Sequence, residues 1–98
     1  MKEIPPFRLV PEPLTPEAAA LPGFEWAPEF AGTRHRLGER PERVQPAPDP
    51  GCGDCGRTMT FYGQLDSLND EYCIADVGLV YVFICFECLT AEAVIDSY

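Results

Sequence analysis

Positive charge is scarce in this chain, and beyond Pro50 it almost vanishes. Residues 51–98 hold one basic side chain, Arg57, and carry a net −7, while residues 1–50 carry −2, which gives the formal −9 at pH 7. Binding to phosphate needs clustered Lys and Arg. No such cluster lies in the second half, so neither nucleic acid nor an anionic membrane is an expected partner. A basic protein surface suits the chain better, although acidity also serves solubility alone. Proline is missing from the second half: all 11 prolines lie between Pro5 and Pro50. Long apolar runs are missing too. The best of them, Val77 to Phe86, is too short to span a bilayer. Nothing after Met1-Lys2-Glu3-Ile4-Pro5-Pro6 reads as a secretory core, so the expected compartment is the reducing cytoplasm. The 5 cysteines are an odd number, which does not favour a disulfide framework.

Catalytic signatures are also absent. His35 is the only histidine, set between Arg34 and Arg36 in what reads as a solvated stretch, so a nucleophile–base dyad is not expected. No glycine-rich phosphate loop, H-E-x-x-H or G-x-S-x-G occurs. The chain is therefore not expected to be an enzyme.

What is present divides near Gly51. Residues 1–50 read as a Pro-rich arm, mostly irregular, because recurrent prolines forbid long helices and central strands. One short helix is expected over 16–21, with Thr15 as N-cap, Pro16 in the first turn and Pro22-Gly23 as the stop. Phe7, Phe24, Trp26 and Phe30 are too many aromatics for a disordered tail. They are candidate contacts, either to the rest of the chain or to a protein partner. Arg34 to Arg43 reads as a solvated loop of mixed charge. Pro46-Ala47-Pro48-Asp49-Pro50 is a stiff linker leading into Gly51 and Cys52.

Residues 51–98 read as a small β domain. Thr58 to Leu65 is strand-like, with Met59, Phe61 and Leu65 on one side. Asp66 to Glu71 is turn chemistry. Val77 to Ile84 is β-branched and aromatic throughout, which suggests a strand buried on both faces. Alternation of Ala93, Ile95 and Ser97 with Val94, Asp96 and Tyr98 favours a third strand over a helix. A core of this size seldom outweighs chain entropy without a metal, a disulfide or a partner.

Two motifs supply the metal site: Cys52-Gly53-Asp54-Cys55-Gly56 and Cys85-Phe86-Glu87-Cys88. Each C-x-x-C sets two sulfurs on one tight turn. Gly56 permits positive φ, so that N–H groups can point toward sulfur. Together Cys52, Cys55, Cys85 and Cys88 form a tetrahedral S4 shell that leaves no position open for substrate. The expected cofactor is therefore structural Zn2+. Iron in a rubredoxin-like site is the rival, and Leu89 in place of glycine after Cys88 departs from that pattern. Cys73, between Tyr72 and Ile74, reads as a small buried hydrophobe. Asp66, Asp70, Glu71 and Asp76 match no calcium-loop spacing and read as a polar turn.

The motifs also occur in a recognisable order. His35-Arg36-Leu37-Gly38-Glu39-Arg40-Pro41-Glu42-Arg43-Val44-Gln45 is followed by the first knuckle. Then come Met59-Thr60-Phe61-Tyr62-Gly63-Gln64-Leu65-Asp66-Ser67 and Gly78 through Cys88. This series resembles the C-terminal portion of the YwqG-like bacterial proteins over about residues 33–98. Those show H-x-[LI]-G-G-x-P-x-x-[IV]-Q, C-P-x-C-G, M-x-F-x-x-Q-[LI]-D-S and G-x-x-Y-x-F-x-C-x-x-C. Glu39 stands where the family has a second glycine, and Gly53 where it has proline. Many members are longer, so the resemblance implies a short form. It also implies an intracellular bacterial protein with links to toxin–immunity systems, and no settled activity.

The expected fold is thus small and β-rich: a zinc-ribbon-like antiparallel sheet with an irregular Pro-rich N-terminal arm. The expected function is a zinc-binding protein-interaction or regulatory module. A rubredoxin-like electron-transfer protein and a nucleic-acid-binding ribbon are the alternatives, the latter disfavoured by acidity.

Overall fold

A computed structural model describes residues 3–98. Met1 and Lys2, with which the leader reading begins, lie outside the described residues. Among the described residues the fold is small, and its regular secondary structure is almost all strand. Strands β1 (Phe7–Arg8), β2 (Arg36–Leu37), β3 (Thr60–Asp66), β4 (Leu79–Cys85) and β5 (Thr90–Asp96) form one antiparallel sheet in chain order. Helix α1 (Pro16–Ala19) is a single turn, capped by the Thr15 hydroxyl, which accepts the Ala18 N–H at 3.1 Å. The sheet draws β1 and β2 from the Pro-rich half and the three long strands from the Pro-free half.

The core lies on one face of this sheet. Leu79, Tyr81 and Phe83 of β4 are fully buried and pack with Met59, Phe61, Cys52 and Cys85. Val80, Val82 and Ile84 point to the other face and are only half-buried. The continuous apolarity of β4 had suggested burial on both faces. One covered layer accounts for the difference, since a single sheet with one overlying strap can bury only alternate residues.

Strand β3 changes phase midway. The register shifts between Phe61 and Gly63, so one extra residue enters this strand. Met59 and Phe61 face the core, but beyond the bulge Gln64 and Asp66 take the inner positions. Leu65, expected beside Met59 and Phe61, is instead paired with Val80 on the outer face and 49% exposed.

The strap over the core is residues 42–45. The Tyr81 hydroxyl donates to the Glu42 carbonyl at 2.6 Å. The Asp96 carboxylate accepts the Val44 and Gln45 N–H groups, both at 3.0 Å, and Arg43 lies 4.8 Å over the Tyr81 ring. Val44 completes the cover. The stretch from Arg34 to Arg43 is therefore not a solvated loop as its composition suggested. Arg34, His35, Arg36 and Arg43 are buried or half-buried, and the three arginines pair with acids or carbonyls, which makes burial of their charge tolerable.

The turn after β3 is equally embedded. Asp66, Ser67 and Asn69 are buried. Asp66 accepts two bonds from the Arg34 side chain, at 2.7 and 2.8 Å, and the N–H groups of Gly32, Arg34 and Ser67. His35 Nδ1 accepts the Asp66 N–H at 2.9 Å, so its ring stands in the sheet interior rather than in solvent. Arg34 also donates to the Val77 carbonyl, and the Ser67 hydroxyl donates to that of Gly78. This buried polar hub fastens the arm and the 66–78 loop to the sheet.

The turn at Gly38-Glu39 closes against the chain start. Gly38 has φ +75, and a Cβ there would sit 2.2 Å from the Pro5 carbonyl oxygen. Glu39 follows at φ +62, with its N–H bonded to the Ile4 carbonyl. The glutamate therefore adopts the left-handed conformation that glycine takes without cost.

Candidate metal centre

The two C-x-x-C turns meet at one end of the sheet. The first lies between Gly51 and Thr58, whose backbones bridge as a short antiparallel pair leading into β3. The second is the loop between β4 and β5, closed by the pairing of Cys85 with Thr90. Zipping β3 onto β4 brings the two turns together.

Locally the turns are alike. The Gly56 N–H donates to the Cys52 carbonyl at 2.8 Å, and the Leu89 N–H donates to the Cys85 carbonyl at 2.8 Å. Both closing residues are left-handed, Gly56 at φ +75 and Leu89 at φ +55. Leucine after Cys88 thus does not alter the knuckle; it forms the same turn with strain. An exposed left-handed leucine costs about 1–2 kcal/mol relative to a relaxed backbone, and Leu89 is 81% exposed. Leu89→Gly is therefore expected to stabilise the metal-loaded protein by about 0.5–1 kcal/mol, after allowing for glycine's freer unfolded chain. Thermal melts of the two proteins, each with metal bound, check this.

The Sγ atoms of Cys52, Cys55, Cys85 and Cys88 all lie within 4.8 Å of one another, and those of Cys55 and Cys85 are 3.7 Å apart. A tetrahedron with metal–sulfur bonds of about 2.3 Å has sulfur–sulfur edges of about 3.8 Å. The cluster is therefore of the right size for one ion. Cys52 and Cys85 are buried, Cys88 is half-buried and Cys55 is exposed.

The electrostatics suit a cation. The Thr90 hydroxyl, 3.4 Å from Cys52 Sγ, and the Cys55 and Asp54 N–H groups lower the Cys52 thiol to about 6. Cys88 is pushed up to about 12, chiefly by its hydrogen bond with Cys55, then by desolvation and the other thiols. One thiolate thus forms readily in the metal-free protein, while the last proton resists leaving until a metal displaces it. Four cysteine sulfurs are a soft donor set, which fits zinc or iron and not magnesium or calcium.

The structure brings all four sequence-predicted ligands together, and they are the only such cluster of Cys, His, Asp and Glu among the described residues. Cys73 stands apart, half-buried, with its thiol donating to the Ala75 carbonyl. Asp66 is occupied by Arg34. The four aromatic candidates of the arm divide. Phe30 stacks on Tyr98 and lies under Arg34, and Phe24 is half-buried near Gly32. Phe7 and Trp26 point outward, Trp26 at 86% exposure. Thr90, which polarises Cys52, is a partner the sequence did not single out. Its position directly after the second knuckle is the signal that could have found it.

No family model, curated protein or solved structure matches the chain. No described helix is long and apolar enough to cross a membrane.

Proposed function

We propose that this chain is a non-enzymatic protein-interaction or regulatory module whose zinc-ribbon-like fold is held by one structural Zn2+ on Cys52, Cys55, Cys85 and Cys88. The observation that carries this reading is the closed S4 shell. Four protein sulfurs fill a tetrahedral ion and leave no site for water or substrate. The metal's work is then to join the hairpin at Gly51–Thr58 to the turn between β4 and β5. The charge of −7 in residues 51–98 gives phosphate no face to bind and favours a basic protein partner. Exposed Trp26 and Phe7 offer such a partner an anchor. The resemblance to YwqG-like proteins belongs to this reading, as do a cytoplasmic, bacterial setting and the lead toward toxin–immunity systems.

A second reading has one observation in its favour. Both knuckles close with the same left-handed turn and the same N–H to carbonyl bond, as iron–sulfur electron-transfer sites of the rubredoxin type require. Visible absorbance separates the two. Protein purified without added metal is expected to be colourless under the zinc reading. A red protein that bleaches on reduction would make electron transfer the function instead.

A further inference from the structure

The two edges of the sheet are built differently. On one side β1 is two residues long and is flanked by Pro5, Pro6 and Pro11, which cannot donate to a further strand. On the other side β5 runs for seven residues, Thr-Ala-Glu-Ala-Val-Ile-Asp, without proline, glycine, lysine or arginine. Among the described residues no strand pairs with its outer side. Ala91, Glu92, Ala93 and Ile95 are exposed, Ile95 at 65%. Long apolar edges lacking such guards are templates for strand addition.

The side chains of β5 point to a particular occupant. Ala91, Ala93 and Ile95 share the outer face with Ile84, Val82 and Val80, to which they are paired. On the inner face Thr90 contacts Cys52, and Asp96 is held by the strap. Only Glu92 is a free charge along the edge. Two copies of β5 related by a two-fold axis normal to the sheet must pair antiparallel about one residue. Centring on Glu92 sets two carboxylates face to face. Centring on Val94 sets Glu92 against Asp96. Centring on Ala93 sets Glu92 against Val94, Ala91 against Ile95 and Ala93 against itself, with no like charges opposed.

We infer that the β5 edge is a homodimer interface, in which two copies join antiparallel about Ala93 to make one continuous ten-stranded sheet. The inference stands apart from the identity of the metal. Its seam adds backbone hydrogen bonds and an aliphatic strip along the outer face. Each copy carries −9, so long-range repulsion opposes the association and salt should relieve it.

Sedimentation equilibrium of the full, metal-loaded chain tests this. A monomer–dimer equilibrium is expected that tightens at least ~3-fold between about 10 mM and about 500 mM salt. Ala93→Lys should weaken it more than ~10-fold by opposing two ammonium groups on the axis, with the circular dichroism spectrum unchanged. In a Cys73→Ser background, Ala93→Cys should cross-link to its own copy and Glu92→Cys should not. A chain that stays monomeric at roughly 1 mM in high salt, or a dimer indifferent to Ala93→Lys, or cross-linking through position 92 instead, would overturn the inference. A folded monomer that takes up an unrelated strand at this edge would overturn it as well.

Discussion

Removing the metal is expected to unfold the long strands. A structural zinc ion on four cysteines contributes about 10 kcal/mol or more at neutral pH, against a total stability of about 5–15 kcal/mol for ordinary domains. The hydrophobic core cluster is seven buried residues, two of which, Cys52 and Cys85, belong to the candidate metal centre. Chelation, or Cys85→Ser, should therefore abolish the β signal in far-ultraviolet circular dichroism and collapse amide dispersion in NMR. Conversely, Cys73→Ser should do neither, because Cys73 lies outside the cluster. Acid should act like the chelator. Metal binding holds all four sulfurs as thiolates, including Cys88, whose thiol is otherwise pushed up to about 12. As pH falls, protons compete for the sulfurs and affinity for the ion drops. Survival of the sheet without metal would show that the core alone suffices.

The second large effect lies in the buried polar hub. Asp66 has a side chain with no exposed surface, and Arg34 is only 9% exposed. Breaking such a pair from one side leaves a buried charge unmatched and costs about 3–5 kcal/mol. Both Arg34→Met and Asp66→Asn are expected to lose that much in denaturant unfolding of the metal-loaded protein. The double variant should lose distinctly less than the two together, since no lone charge then remains. Acid provides a second readout. Burial pushes the Asp66 carboxyl upward, but the bonds and charge of Arg34 and the Ser67 N–H outweigh it, so its pKa is lowered in the folded state. Its contribution is therefore complete above the unfolded value of about 3.9 and is lost as pH falls through the lower folded value. Asp66→Asn should remove that part of the acid dependence. Single losses under ~1 kcal/mol, the range of surface pairs, would show that the hub carries little weight.

The parts that were legible in the sequence are those written in local spacing. C-x-x-C sets two sulfurs on one turn whatever surrounds them, so the four cysteines that meet in the fold could be named before it was known. The aromatic and β-branched run of β4 needed no context either, and the alternation after Cys88 proved to be β5. Where long-range packing decides, sequence alone misleads. Arg34 and His35 lie about thirty residues from Asp66, and nothing in a charged stretch reveals that it will be drawn beneath a sheet. Leu65 falls on the opposite face from the one its alternation suggests because the bulge between Phe61 and Gly63 reverses the phase, and no residue type announces it. Leu89 looks like a departure from the knuckle pattern because its side chain disfavours positive φ; the turn imposes that φ regardless. Glu39 follows the same rule.

Two anchors divide the work of the fold. The four-cysteine cluster, which could hold a metal ion, sets the knuckles together at one end of β3 and β4, while the Arg34–Asp66 hub joins the arm and the 66–78 loop at the other end. Between them, the strap at 42–45 covers the inner face through Tyr81 and Asp96. The outer face carries the aliphatic residues of β4 and β5. Exposed among the described residues are the outward aromatics Phe7 and Trp26 and the outer side of β5, at the edge of the sheet.

Metal content per chain, with thiols titrated before and after chelation, tests the central claim most directly. The account predicts one zinc per chain, with four thiols that become reactive only when the zinc is removed and the fold is lost. Iron in its place, or a metal-free folded chain whose C-x-x-C thiols react at once, would contradict it.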